Sequence, residues 1–335
     1  MSVQREFDVV VYGATSFVGQ ILCRYLVGRH GASGPQRWAI AGRNASKLDD
    51  VARRTGADVP RIVADATDRD ALAAMVASTR VVASTVGPYA LYGSELVEAA
   101  VEAGTDYCDL TGEVQWMRRM IDAHQERAEQ TGARIVHACG FDSIPSDVGT
   151  WFTQQRSIER FGEPCIEVRM AVKGVRGGLS GGTAASGIQM FEEIAEDPSL
   201  RKVIGDPYVL APVDLRAGPR QPGMARPTRD ERFESWVAPF VMAPTNSAVV
   251  LRTHALLGRP WGREFTYGET MMTGDGLAGG VAAWGMTAGL AAFAGAASFG
   301  PTRSLLGKVI PKPGEGPSEA KQQAGWFDLR FVGRT

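Results

Sequence analysis

Gly13-Ala14-Thr15-Ser16-Phe17-Val18-Gly19 carries the strongest chemical signature in the chain. It follows an apolar run, Phe7–Tyr12. It opens a segment in which Phe17, Val18, Ile21, Leu22, Tyr25 and Leu26 recur at helical spacing. Strand, glycine turn and helix in that order aim backbone N–H groups at an anion, as a dinucleotide pyrophosphate requires. Gly13 lets the chain reverse, and Gly19 lets helix and strand approach. Ser16 stands where a second turn glycine is usual. Its hydroxyl could donate to a phosphate, or its side chain could crowd one. Arg43, at the end of the next strand, suits a ribose 2′-phosphate, because guanidinium binds phosphate bidentately and no acid lies within two positions of it. The expected cofactor is NADP(H).

Further candidates also end predicted strands. Asp65 can accept from an adenine amino group, or only shape the turn to Asp68. Ser84, Thr85, Val86, Gly87 and Pro88 are expected beside the nicotinamide ribose. Tyr89 can hand a proton or hydrogen bond to a substrate carbonyl, or only pack. Asp142 can orient substrate or exchange protons, or cap a helix at Pro145–Phe152. Tyr89 and Asp142 are therefore the catalytic candidates. Asp109, Thr111 and Glu113 are expected at a cleft rim or as caps. The four histidines do not cluster, and the four cysteines form no C-x-x-C pair, so no metal site is expected.

These residues need a scaffold that brings strand ends together. Arg37–Gly42, Pro60–Ala64, Arg80–Val86, Thr105–Leu110 and Ala133–Ala138 read as further strands. Helices separate them, with Ser46 and Asp68 as expected N-caps. Six strands in that rhythm predict an α/β fold: a Rossmann-type doubly wound parallel sheet over residues 1–150. Residues 151–335 read as a second α+β domain for substrate and dimerisation. Its expected elements are a strand at Cys165–Val175, a helix at Thr183–Ala195 and a proline-rich loop at Pro198–Pro227. Strands are expected at Trp236–Met242, Ala248–Thr253 and Phe265–Met272. An apolar helix at Gly276–Phe299, a Pro311–Pro317 linker and a strand at Gly325–Arg334 follow. That last strand stops in a turn, and the chain is expected to lack a C-terminal portion.

The chain has 335 residues, 44% hydrophobic and 22% charged, with a net charge of −1. A full core is affordable, and no basic excess points to nucleic acid. Unpaired thiols and a polar N-terminus suggest a reducing, cytoplasmic setting. No charge occurs from Gly276 to Thr302. Peripheral membrane contact, a buried core helix and a homodimer seam through Gly285 and Gly289 all fit that segment.

YGATSFVG at 12–19, AGR at 41–43, STVGPY at 84–89, YCDLTGE at 107–113, GFDSIPSD at 140–147 and SGGTAAS at 180–186 together resemble the saccharopine dehydrogenase-like oxidoreductases. Within them the chain looks most like the trans-acting enoyl reductase branch. The resemblance implies an NADP-binding Rossmann domain, a second α+β domain, and reduction of a carbon–carbon double bond in a carrier-bound lipid or polyketide thioester. Ser16 departs from the family's usual glycine. Two other readings compete: an NADP-dependent reductase of an amino acid derivative, and a non-catalytic lipid-associated protein with a vestigial nucleotide site.

Overall fold

The computed structural model describes residues 5–178, 180–309 and 314–335. The chain divides into two compact units. The first comprises Met1–Gly140, Leu179–Met190 and Ile310–Gly316; the remainder forms the second.

The first unit is built on six parallel strands: β1 (Phe7–Tyr12), β2 (Trp38–Gly42), β3 (Arg61–Val63), β4 (Thr79–Ser84), β5 (Asp106–Asp109) and β6 (Ile135–Val136). Their order is β3-β2-β1-β4-β5-β6. The chain runs outward from β1 to β3, then crosses back to place β4 on the other side of β1. Ligands bind outside the carboxyl ends of the strands at such a reversal. The central strands β1 and β2 are apolar along most of their length, as strands of a covered parallel sheet are. All five residues of β2 are buried. Val11, Ile40, Leu48 and Val51 pack with Cys23 and Trp38 in one core cluster. Asn44, not Ser46, caps the helix Ala45–Thr55, its Oδ1 accepting the Lys47 amide at 3.0 Å. Asp68 caps Arg69–Ser78 as expected.

The second unit contains a mixed sheet ordered β11-β7-β10-β9-β8. Its strands are β7 (Glu167–Arg176), β8 (Thr228–Asp230), β9 (Ser235–Pro239), β10 (Thr266–Gly274) and β11 (Trp326–Arg334). β7 and β10 are parallel, and the other pairings are antiparallel. The units divide at Gly140 rather than at 150. The helix starting at Ile144 runs to Phe161 and packs on β7, β11 and the helix Ala243–Leu256. It therefore belongs wholly to the second sheet.

Ala248–Thr253, expected as a strand, lies inside that Ala243–Leu256 helix. Its buried residues Asn246, Val250 and His254 recur every fourth position, as do Leu251 and Ala255. A short apolar run does not reveal its period by itself. Gly276–Ser298 is a helix. Among the described residues its buried positions are Gly279, Gly280, Ala283 and Ala297. This overturns the buried-core reading: small residues face the protein, while Leu277, Val281, Trp284 and Phe293 face outward. Residues 310–313 of the expected Pro311–Pro317 linker lie outside the described residues.

Candidate active site

The turn after β1 has the shape that a pyrophosphate needs. Gly13 sits at φ +84°, a left-handed conformation that favours glycine. A Cβ there would stand 2.6 Å from Val86 Cγ2. A Cβ on Gly19 would stand 2.3 Å from the Gly13 carbonyl oxygen. Both glycines are thus required, one by conformation and one by close approach. The amides of Gly13 and Ala14 bond the Ala41 carbonyl, and the Ser16 amide bonds that of Gly13. The amides of Thr15, Phe17 and Val18 have no partner among the described residues, so three donors stand at the N-terminus of the helix Phe17–His30. That helix has no acid in its first turn and ends on Arg29 and His30. Its dipole therefore favours an anion at the turn.

Ser16 has a structural role. Its hydroxyl caps the helix, accepting the Gly19 amide at 2.9 Å, and lies 2.8 Å from Thr85 Oγ1. Thr85 in turn donates to the Gly13 carbonyl at 2.9 Å. The serine ties the turn to the end of β4.

Arg43 extends from the end of β2 into solvent with no ion pair or hydrogen bond among the described residues. Asp65 shapes its turn, one of the two roles open to it in the sequence. Its Oδ1 accepts both the amide (3.0 Å) and the hydroxyl (2.8 Å) of Thr67, and those bonds lower its pKa. It is a turn-shaping residue at the end of β3, which leaves Oδ2 alone for any adenine contact.

On the other side of the reversal, Ser84 and Thr85 are buried. Tyr89 is corrected from proton donor to brace. Only 3% of it is exposed, its phenol donates to the Ser84 carbonyl at 3.1 Å, and it accepts the Leu110 amide at 3.4 Å. Burial, reinforced by Asp109, pushes that phenol well above its ordinary pKa. A hydroxyl so enclosed stabilises the Ser84–Pro88 loop and gives no proton at neutral pH.

Two buried carboxylates organise the ends of β4 and β5. Asp109 Oδ1 accepts the amides of Thr111 and Ala138, both at 3.0 Å, and Oδ2 meets His137 Nδ1 at 2.7 Å. Glu113 accepts the amides of Tyr89 and Ala90, both at 2.8 Å, and the Ser186 hydroxyl at 2.7 Å. The sequence offered both acids only as rim or cap residues, because nothing in their spacing reveals their partners.

In the second unit Asp142 precedes the helix Ile144–Phe161. It does not cap it, since Ser143 holds the N-cap position and makes no side-chain bond there. Asp142 has open surface, yet loss of water around its carboxyl raises its pKa, and it has no hydrogen-bond partner among the described residues. Beside it lies a buried polar chain. Ser143 donates to Asn246 Oδ1 at 2.9 Å, and Asn246 Nδ2 donates to Ser146 at 3.1 Å and to Glu269 at 2.9 Å. Tyr267 donates to the same Glu269 carboxyl at 2.5 Å. Burial raises the Glu269 pKa despite these bonds. Sequence reasoning missed Asn246 and Glu269. An acid alternating with Tyr267 and Met271 along one strand was the available signal.

The basic residues of β7 make no carboxylate-binding pair. Arg169 and Arg232 meet Glu167 Oε1 at 2.7 and 3.1 Å, and Arg334 meets its Oε2 at 3.1 Å. Burial disfavours the Glu167 charge, but the bonds from Arg169 and Arg334 outweigh it and hold the pKa at about 2. Lys173 pairs with Asp328 at 3.2 Å.

The saccharopine dehydrogenase NADP binding domain family matches residues 9–136, the segment that holds the glycine turn, Arg43 and both buried acids. Rv2449c of Mycobacterium tuberculosis is 41% identical over 97% of this chain and 80% of its own. Trans-acting enoyl reductases of Mycobacterium bovis and Mycobacterium ulcerans are 40% and 37% identical, with the same coverage. The structure of apo saccharopine dehydrogenase (L-Glu forming) from Saccharomyces cerevisiae covers 60% of this chain and 41% of that one, at 17% identity and a TM-score of 0.41. The chain belongs to the trans-acting enoyl reductase family, NADP-dependent oxidoreductases with a saccharopine dehydrogenase-type NADP-binding domain.

Proposed function

We propose that this protein reduces a carbon–carbon double bond in an acyl chain presented as a thioester on a partner synthase, with NADPH as reductant. The observation that carries the reading is the cradle at Gly13–Gly19, with three amides that have no partner among the described residues and an exposed Arg43 at the next strand end. The amides of Thr15, Phe17 and Val18 would hold the pyrophosphate, and Arg43 the 2′-phosphate. When bound, NADPH supplies the hydride. Asp142, which has no hydrogen-bond partner among the described residues, would exchange the proton. Engagement of Arg169 and Lys173 by acids argues against an amino acid derivative as substrate. The capping role of Ser16 argues against a vestigial site.

Arg43→Ala is expected to weaken NADPH about 10- to 100-fold, the range for a charged hydrogen-bonded contact, and to leave NADH unchanged. Calorimetric titration of both cofactors checks this. Equal losses for both would remove Arg43 from the 2′-phosphate.

The outward face of Gly276–Ser298 supports peripheral contact with a lipid bilayer. A 23-residue helix is roughly 35 Å long and about 10 Å wide, so a seam between two copies would cover about 350 Å² on each. A stable dimer needs about 800 Å² per partner. The wide charge-free face suits lipid better. The chain is expected to float with phosphatidylcholine–phosphatidylglycerol vesicles, and the double variant Val281→Glu, Phe293→Glu to stay behind. Recovery of the unaltered chain wholly in the soluble fraction would dismiss bilayer contact.

A further inference from the structure

Glu113 immediately precedes the helix Val114–Thr131, and only 2% of it is exposed. Three donors converge on it: the amides of Tyr89 and Ala90, and the hydroxyl of Ser186. The two amides open the short helix Tyr89–Tyr92, directly after the Ser84–Pro88 loop. Ser186 lies on the helix Gly181–Glu196, in its portion assigned to the first unit, and is half-buried. Its Oγ would stand 3.4 Å from a Cβ added to Gly87. Gly87 has no side chain, so the hydroxyl reaches the backbone just past the end of β4. That end borders the reversal between β1 and β4, where a ligand of this fold lies.

The direction of the Ser186 bond decides what the hydroxyl can do. Its proton points at Glu113, at 2.7 Å. What it offers on its remaining side is lone pairs. It is therefore an acceptor, unsuited to donate to a developing enolate oxygen. The polar part of a nicotinamide ring is a carboxamide, whose amino group needs an acceptor.

We propose that Ser186 Oγ, oriented by Glu113, accepts the carboxamide amino group of the nicotinamide, and so sets the ring's position beside Gly87. The inference rests on the NADPH reading above. It gives the SGGTAAS segment a cofactor-positioning role. It also explains why a carboxylate is buried where it touches both the short helix directly after the β4 loop and that segment.

The test uses the full chain and three ligands measured by calorimetry. These are NADPH, its 3-acetylpyridine analogue (a methyl replaces the amino group) and 2′-phospho-ADP-ribose, which has no ring. The unaltered chain is expected to bind NADPH about 2- to 10-fold more tightly than the acetyl analogue, the net worth of one hydrogen bond. Ser186→Ala is expected to abolish that preference and to leave 2′-phospho-ADP-ribose binding unchanged. A preference that survives Ser186→Ala overturns the proposal. So does an equal loss of all three ligands, which would mark a purely structural residue. Failure of the unaltered chain to bind even 2′-phospho-ADP-ribose would bring down the NADPH reading, and this proposal with it.

Discussion

Gly19→Ala is expected to lower NADPH affinity by about 100-fold or more. The added methyl would lie 2.3 Å from the Gly13 carbonyl oxygen and 2.8 Å from Ala14 Cα. Both are backbone atoms and cannot swing aside. The helix must retreat from β1, at an overpacking cost of about 1–3 kcal/mol in the folded state. The retreat also moves the amides of Phe17 and Val18, which lie on that helix, and a shift of an ångström removes a hydrogen bond. Calorimetry with NADPH, alongside thermal unfolding, separates the two effects. A variant that binds normally would show that the turn is an ordinary strand–helix junction. Ser16→Gly makes the contrasting control. Glycine is itself a fair N-cap, so the loss of the cap costs only a few tenths of a kcal/mol, and the backbone amides of the turn stay in place.

Asp142→Asn is expected to lower kcat by about 100-fold or more while NADPH affinity holds, because a positioned proton donor contributes that much. The pH profile carries the sharper signature. Loss of water around the carboxyl raises the Asp142 pKa, so its acid form persists to higher pH than that of a free aspartate. A donor must be protonated, so the rate falls as pH rises through that raised pKa. A side-chain amide does not titrate, and in D142N that limb should disappear. A profile unchanged in D142N would relieve Asp142 of the role. Tyr89→Phe should leave the profile alone, since its phenol is buried against Ser84. Its cost should appear in stability, at about 1–3 kcal/mol for the carbonyl left unpaired.

The doubly wound parallel sheet and the cofactor turn were legible because they rest on local chemistry. β1 and β2 are short, largely apolar runs with a helix after each, and φ-permissive glycine at position 13 has few other uses. What was not legible depends on long-range pairing. Tyr89 read as a catalytic phenol because its enclosure comes from Ser84, Leu110 and Trp116, which meet it only in the fold. Asp109 and His137 are separated by an intervening helix and meet across adjacent strand ends. Glu113 and Ser186 come together across a far longer stretch of chain. The Ala248–Thr253 error has a simpler cause. Six apolar-rich residues fit a strand or a helix, and the packing of Ile144–Phe161 against them decides. The outward-facing Gly276–Ser298 helix was undecidable in principle, since composition fixes its greasiness but not which face is covered.

The most direct measurement is NADPH oxidation by the purified chain with an α,β-unsaturated acyl thioester, with the product identified by mass spectrometry. Stoichiometric conversion to the saturated thioester is expected, with a strong preference for NADPH over NADH and no turnover of NADP with saccharopine. NADPH binding without reduction of any enoyl thioester, together with turnover of saccharopine, would contradict the enoyl reductase reading.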